Sequence, residues 1–184
     1  MTIGIDLDDT LVNTRDLLKE NWKKYIEENK IVEFTSELPD DINRFGNKII
    51  DTFWDQYREE MAYPSLKEGA KEVIKDLKEK GYKLVIITSR PKIKYNNLIK
   101  RLNAYLEDND IIIDQIILDA FDKGQAMIDN NIDIIIDDDL YHIKRAIECG
   151  KKGILLNEND NYDVYIANDW YKVIDIIEAL KNSF

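Results

Sequence analysis

Five short runs rich in β-branched residues, separated by stretches of helical period, constrain this chain more than any other feature. They are "TIGID" (2–6), "YKLVIIT" (82–88), "DQIILD" (114–119), "DIIID" (133–137) and "GILL" (153–156). Unbroken apolar runs of this length suit strands covered on both faces. The segments between them read as helices. "SLKEGAKEVIKDLKEKGY" starts at Ser65, places Leu66, Ala70, Val73, Ile74 and Leu77 on one face and stops at Gly81. "KIKYNNLIKRLNAYL", "DKGQAMIDNN" and "LYHIKRAIECG" follow the same logic, and "DWYKVIDIIEALKNSF" forms a terminal helix capped by Asp169. Strands alternating with helices predict an α/β fold, a three-layer, Rossmann-like parallel sheet with right-handed crossovers.

Residues 14–64 break the rhythm, because they carry no strand signal. Helical patterns fall around Leu17–Glu28 and Asp41–Glu60, on either side of a loop containing Pro39. The expected organisation is a core of residues 1–13 and 65–184 with a small helical cap, 14–64, inserted after the first strand. An insertion there is expected over the carboxyl edge of the sheet, where open α/β sheets bind ligands. Aromatics gather in it, among them Trp22, Tyr25, Phe53, Trp54 and Tyr57. A cap that small needs a core of its own, so most of them are expected to pack, with one or two facing a ligand; Phe45, Trp54 and Arg44 are the candidates.

The polar residues at the strand ends carry the chemistry. The first strand runs into Asp6-Leu7-Asp8-Asp9-Thr10, the second into Thr88-Ser89-Arg90 and the fourth into Asp137-Asp138-Asp139, while Lys123 opens a helix. In a parallel sheet these ends share one edge. Carboxylates crowded together cannot all stay ionised without a positive partner. Oxygen donors without sulfur point to a hard cation, Mg²⁺, which keeps some waters and accepts a phosphate oxygen. Phosphoryl transfer follows. Asp6 would attack phosphorus to form an aspartyl phosphate, and Asp8 would protonate the leaving alcohol and then activate water. Thr88 and Lys123 would hold the non-bridging oxygens.

Charge and composition narrow the substrate. With 26 basic against 37 acidic side chains the net charge is −11, which argues against nucleic-acid polymers and leaves small phosphate esters open. A single cysteine, Cys149, excludes an internal disulfide and a cysteine-based zinc cluster, and a lone histidine, His142, excludes a histidine-based triad with spare ligands. Cys149 is expected as a small buried residue, His142 as a surface or packing residue and Asp139 as a helix cap. Asp9 is expected at a helix N-terminus or in a supporting position rather than in catalysis. The absence of an apolar run of membrane-spanning length and of a basic leader leads to the expectation of a cytoplasmic protein.

"DLDDT", "TSR", "DKGQ" and "IIIDDD" resemble motifs one to four of the haloacid dehalogenase-like superfamily, most of whose members are phosphatases. The resemblance spans Thr2–Asp9 and about Leu66–Leu156. It implies Asp6 as nucleophile and Asp8 as acid and base. The Asp6 side chain and the Asp8 backbone carbonyl are implied as metal ligands, Thr88 as the motif-two hydroxyl and Lys123 as the motif-three lysine. Of Asp137 and Asp138, one is implied to bind Mg²⁺ and the other to orient its water, with Asp138 favoured as the direct ligand. Within the superfamily, "DLDDTLVN" and "IDDD" look most like the 5′(3′)-deoxyribonucleotidases and related bacterial nucleotidases, which implies a nucleoside monophosphate substrate and a base pocket lined by cap aromatics. Arg90 stands where better-known members carry proline, and with Ser89 it is a candidate for the substrate phosphate. A phosphatase or phosphomutase for another small metabolite is the near alternative. A phospho-accepting receiver domain is the distant one, disfavoured by the order of the motifs and by a general base at Asp8.

Overall fold

In the computed structural model, which describes residues 1–40, 42, 46–157 and 161–181, the apolar runs pair into one sheet whose strands are all parallel. Six strands are found among the described residues: β1 (Thr2–Ile5), β2 (Lys83–Ile87), β3 (Gln115–Ile117), β4 (Ile134–Asp137), β5 (Lys152–Leu156) and β6 (Tyr165–Ala167). The helices are α1 (Thr14–Glu28), α2 (Lys48–Tyr57), α3 (Ala70–Glu79), α4 (Leu98–Asp108), α5 (Lys123–Asp129), α6 (Leu140–Glu148) and α7 (Trp170–Leu180). The sheet order is β3-β2-β1-β4-β5-β6, so the chain moves outward from β1 in one direction and then in the other. Such a reversal leaves a crevice at the carboxyl ends of the two strands that flank it, here β1 and β4.

Two-residue alternation sorts the strand side chains onto two faces. Ile3, Ile5, Leu84, Ile86, Ile134 and Ile136 pack with α3, α4 and α7. Val85, Ile87, Ile135 and Leu155 pack with α5 and α6 on the other side. Helices on both faces explain why the runs are apolar at every position. Burying one such side chain fully contributes about 1.5–3 kcal/mol.

The chain divides into two compact units, residues 1–12 with 66–184 and residues 13–65. The second has its own core. On α1, Leu18, Trp22, Tyr25 and Ile26 share a face and are buried. Trp22 and Phe53 are fully buried, with ring centroids 5.2 Å apart and planes at 82°. The Trp22 indole donates to the carbonyls of Thr35 and Glu37 at 3.2 and 3.0 Å, which ties the loop before Pro39 to α1. Asn47 caps α2 by accepting from the N–H groups of Ile49 and Ile50.

Three details depart from the expectation. Helix α3 starts at Ala70, not Ser65: Leu66 pairs with Val12 as an isolated bridge, Lys67 N–H donates to Leu11, and Gly69 turns the chain at φ +77°. The 92–106 segment is one short turn, Lys92–Lys94, followed by α4 from Leu98, with extended Tyr95 and left-handed Asn97 between them. β6 has no counterpart among the apolar runs read from the sequence. Among the described residues no helix is long and apolar enough to cross a membrane.

Candidate active site

Parallel pairing of β1 with β4 sets the site. The Asp6 N–H donates to the Ile136 carbonyl at 2.9 Å, so the ladder runs one residue past β1 and brings Asp6 beside Asp137, the last residue of β4. Both are buried, Asp6 5% and Asp137 1% exposed. Lys123, the first residue of α5, reaches between them. Its Nζ lies 2.5 Å from Asp6 Oδ1 and 2.6 Å from Asp137 Oδ2. Two features aim it. Asp122 caps α5 by accepting from Gln125 N–H at 3.1 Å. Gly124 lets α5 lie against α6, for a Cβ there would fall 2.7 Å from the Arg145 carbonyl oxygen.

Asp138 completes a cluster. Asp6, Asp137 and Asp138 each offer a carboxylate oxygen within 4.8 Å of the others. Asp137 is tied at both oxygens, Oδ2 to Lys123 and Oδ1 to the Asp139 N–H at 2.9 Å. Asp138 is held by Thr10, whose hydroxyl is 3.0 Å from Asp138 Oδ1. Burial pushes Asp6 well above the ordinary carboxylate range; Lys123 pulls it down, and Asp137 and Asp8 push it further up. Burial and Asp137 raise Asp138 to about 6. Burial works against the Lys123 ammonium, but Asp6 and Asp137 outweigh it and raise its pKa. Burial is the larger cause for both carboxylates, and the crowding of three carboxylates around one ammonium adds to it. All-oxygen donors with surplus negative charge fit a hard divalent cation.

Asp8 stands apart from this cluster. Leu11 and Val12 N–H groups both donate to the Leu7 carbonyl, and Asp9 sits at φ +58°. The resulting turn carries the Asp8 side chain to Arg90, whose Nη2 donates to Oδ1 at 2.6 Å and whose Nε lies 3.0 Å from Oδ2.

The second motif lies at the end of β2. Thr88 is fully buried, with its N–H on the Ile117 carbonyl, and its hydroxyl accepts from Arg90 N–H at 3.2 Å. Ser89 spends its hydroxyl proton on the Ala120 carbonyl at 3.1 Å. Arg90 pairs with Asp8. In the inserted unit Trp54 is half-buried, donates from its indole to the Ile42 carbonyl at 2.7 Å and lies under the Arg58 guanidinium. Phe45 and Arg44 lie outside the described residues.

Asp139 caps α6 through Tyr141 N–H, Cys149 is partly buried behind Gly124, and His142 is half-buried beside the Tyr141 ring. Sequence alone assigns Thr10 no role of its own. It is fully buried, and its carbonyl accepts from the Trp170 indole at 3.0 Å. Its presence in the first acidic motif was the available signal.

Comparison with known proteins agrees with this frame. Residues 3–115 match the family model of haloacid dehalogenase-like hydrolases. A Clostridium acetobutylicum protein described as a predicted phosphatase superposes with a TM-score of 0.68 at 19% identity, covering 97% of this chain and 98% of that one. A haloacid dehalogenase-like family protein from Streptococcus pneumoniae gives 0.66 at 18% identity, over 96% and 97%. A Bacillus subtilis protein described as a HAD-hydrolase, bound to magnesium, gives 0.67 at 15% identity, over 96% and 97%. At these identities the likeness establishes the fold. No curated protein matches the chain.

Proposed function

The chain belongs to the haloacid dehalogenase-like hydrolase family, and from its site we propose a Mg²⁺-dependent phosphomonoesterase that works through an aspartyl phosphate. One observation carries the reading: Asp6, Asp137 and Asp138 converge within 4.8 Å while Lys123 Nζ neutralises only part of their charge. Asp6, Asp138 and the Asp8 carbonyl would hold the ion. Asp138 is the better direct ligand, because both Asp137 oxygens are already engaged. When bound, such an ion would balance the charge of the carboxylates and of the incoming phosphate.

The chain's own groups then carry each step. Asp6 attacks phosphorus; its Oδ–P bond forms as the ester P–O bond breaks, and Asp8 passes its proton to the departing alkoxide. The Asp8 carboxylate next takes a proton from water, whose oxygen attacks the same phosphorus and returns Asp6 and inorganic phosphate. Thr88 and Lys123 hold the transferring oxygens throughout.

Within this class we propose a nucleoside monophosphate as substrate, supported by the resemblance of "DLDDTLVN" and "IDDD" to nucleotidases. Of the inserted unit's rings, Trp22 and Phe53 are consumed by packing, and Trp54 is only partly buried. The test is turnover of p-nitrophenyl phosphate with Mg²⁺ and with chelator, then of nucleoside monophosphates against sugar phosphates. Many metal-dependent cycles per chain are expected, and none would overturn the phosphatase reading. A preference for sugar phosphates would overturn only the nucleotide assignment.

A further inference from the structure

We propose that Arg90 is the positioning residue for Asp8, acting on the protonation of the leaving group rather than on the phosphate. The inference rests on the phosphomonoesterase reading above. Asp8 lies on a turn, and its side chain is 34% exposed, so burial alone does not hold it. Arg90 is 6% exposed and approaches edge-on, with Nη2 at 2.6 Å from Oδ1 and Nε at 3.2 and 3.0 Å from Oδ1 and Oδ2. A planar fork engaging both oxygens fixes the plane of the carboxylate as well as its distance, which a point charge cannot do.

Arg90 is itself built in. Its N–H donates to the Thr88 hydroxyl at 3.2 Å, and its carbonyl accepts from Asp119 N–H at 3.2 Å. Asp119 in turn accepts from Lys92 N–H at 3.0 Å. The Tyr95 ring lies beside the guanidinium, its centroid 5.9 Å away. Arg90 therefore carries a fixed, charged fork aimed at the acid of the reaction. An acid must lie within hydrogen-bond reach of the oxygen it protonates, and misplacement by about 1 Å can cost about 100-fold.

This role makes a prediction that a phosphate contact does not. A p-nitrophenolate leaves without a proton, whereas an alkoxide does not. Arg90→Gln should therefore slow an alkyl phosphate about tenfold more than p-nitrophenyl phosphate in kcat, and Arg90→Lys, which keeps charge but not the fork, should behave similarly. Circular dichroism checks that each variant is folded. In an Asp8→Asn background, adding Arg90→Gln should leave the p-nitrophenolate burst unchanged, since a residue acting only through Asp8 has nothing left to position. Equal losses on both substrates, or a burst that falls further in the double variant, overturn the inference while leaving the phosphatase reading intact. No turnover by the unmodified chain overturns that reading, and this one with it.

Discussion

Thr10 and Asp138 exchange two hydrogen bonds across 128 positions of sequence: the Thr10 hydroxyl donates to Asp138 Oδ1 at 3.0 Å and accepts from the Asp138 N–H at 2.9 Å. The turn after β1 is thereby latched to the end of β4. Thr10→Val keeps the shape and removes both bonds. Groups that hold a metal ligand in place are typically worth 10–100-fold in affinity, so the Mg²⁺ concentration giving half-maximal activity should rise about 10–100-fold. Chemical unfolding should show a loss of about 1–3 kcal/mol from the buried N–H left unpaired. An unchanged Mg²⁺ requirement would remove Thr10 from the site.

Asp6→Asn keeps size and a hydrogen-bonding oxygen but removes the anion proposed to attack phosphorus. Turnover should fall about 10⁴-fold or more, on the scale seen when a nucleophile is lost. The circular dichroism spectrum should be unaltered. Residual activity near the native level would show that another group attacks phosphorus.

Lys123 is 2% exposed and sits between two carboxylates, so its removal leaves buried charge unpaired. Lys123→Met should destabilise the metal-free protein by about 3–5 kcal/mol, read from urea unfolding. With Mg²⁺ present part of that loss should return, because an ion that binds only the folded site would stabilise it. The rate should still fall about 100- to 1,000-fold, as for other groups that stabilise developing charge.

Metal removal has a sign of its own. The surplus of carboxylate charge around Asp6, Asp137 and Asp138 opposes folding when no cation is bound. Chelation should abolish turnover and lower the melting temperature, and added Mg²⁺ should restore both. A melting temperature indifferent to chelator and Mg²⁺ would argue that these carboxylates bind no ion.

Away from the site, Asp114 braces β2. Its carboxylate accepts from Leu84 N–H at 2.7 Å and from Lys78 Nζ at 2.7 and 2.8 Å. Its own burial pushes the pKa up, but Lys78 and the Leu84 N–H outweigh this and hold it below the usual carboxylate value. A depressed folded-state pKa means stabilisation that is complete above the unfolded value, about 3.9, and is lost as pH falls through the folded one. Asp114→Ala should cost about 1 kcal/mol near neutrality, and the gap to the native chain should narrow below about pH 4. A gap independent of pH would show that the charge contributes nothing.

The sequence made plain what depends on neighbours along the chain. Apolar runs identified β1, β2, β3, β4 and β5, and the caps at Asp139 and Asp169 were readable because a cap acts within three residues. β6 escaped because it has only three residues, pairs on one side with β5 and leaves Tyr165 48% exposed. The start of α3 was misplaced because a long-range bridge from Val12 claims Leu66, which local period cannot register. Asp6, Lys123 and Asp137 could be grouped in advance, since parallel strands bring their ends to one edge. The pairing of Arg90 with Asp8 could not, because side-chain direction after a turn is decided by packing.

The bridge between Val12 and Leu66 carries one more consequence. The backbone departs at Val12 and returns beside it at Leu66, and the next pair inward, Asn13 and Ser65, is joined by an N–H to carbonyl bond of 2.8 Å. The intervening stretch is therefore a closed detour whose two ends are already stitched together. Lengthening, shortening or replacing such a detour leaves the spacing of its endpoints untouched, and the entropic penalty grows only with the logarithm of its length. Chains built on this plan can trade one inserted module for another without disturbing the hydrogen-bonded seam that fastens it.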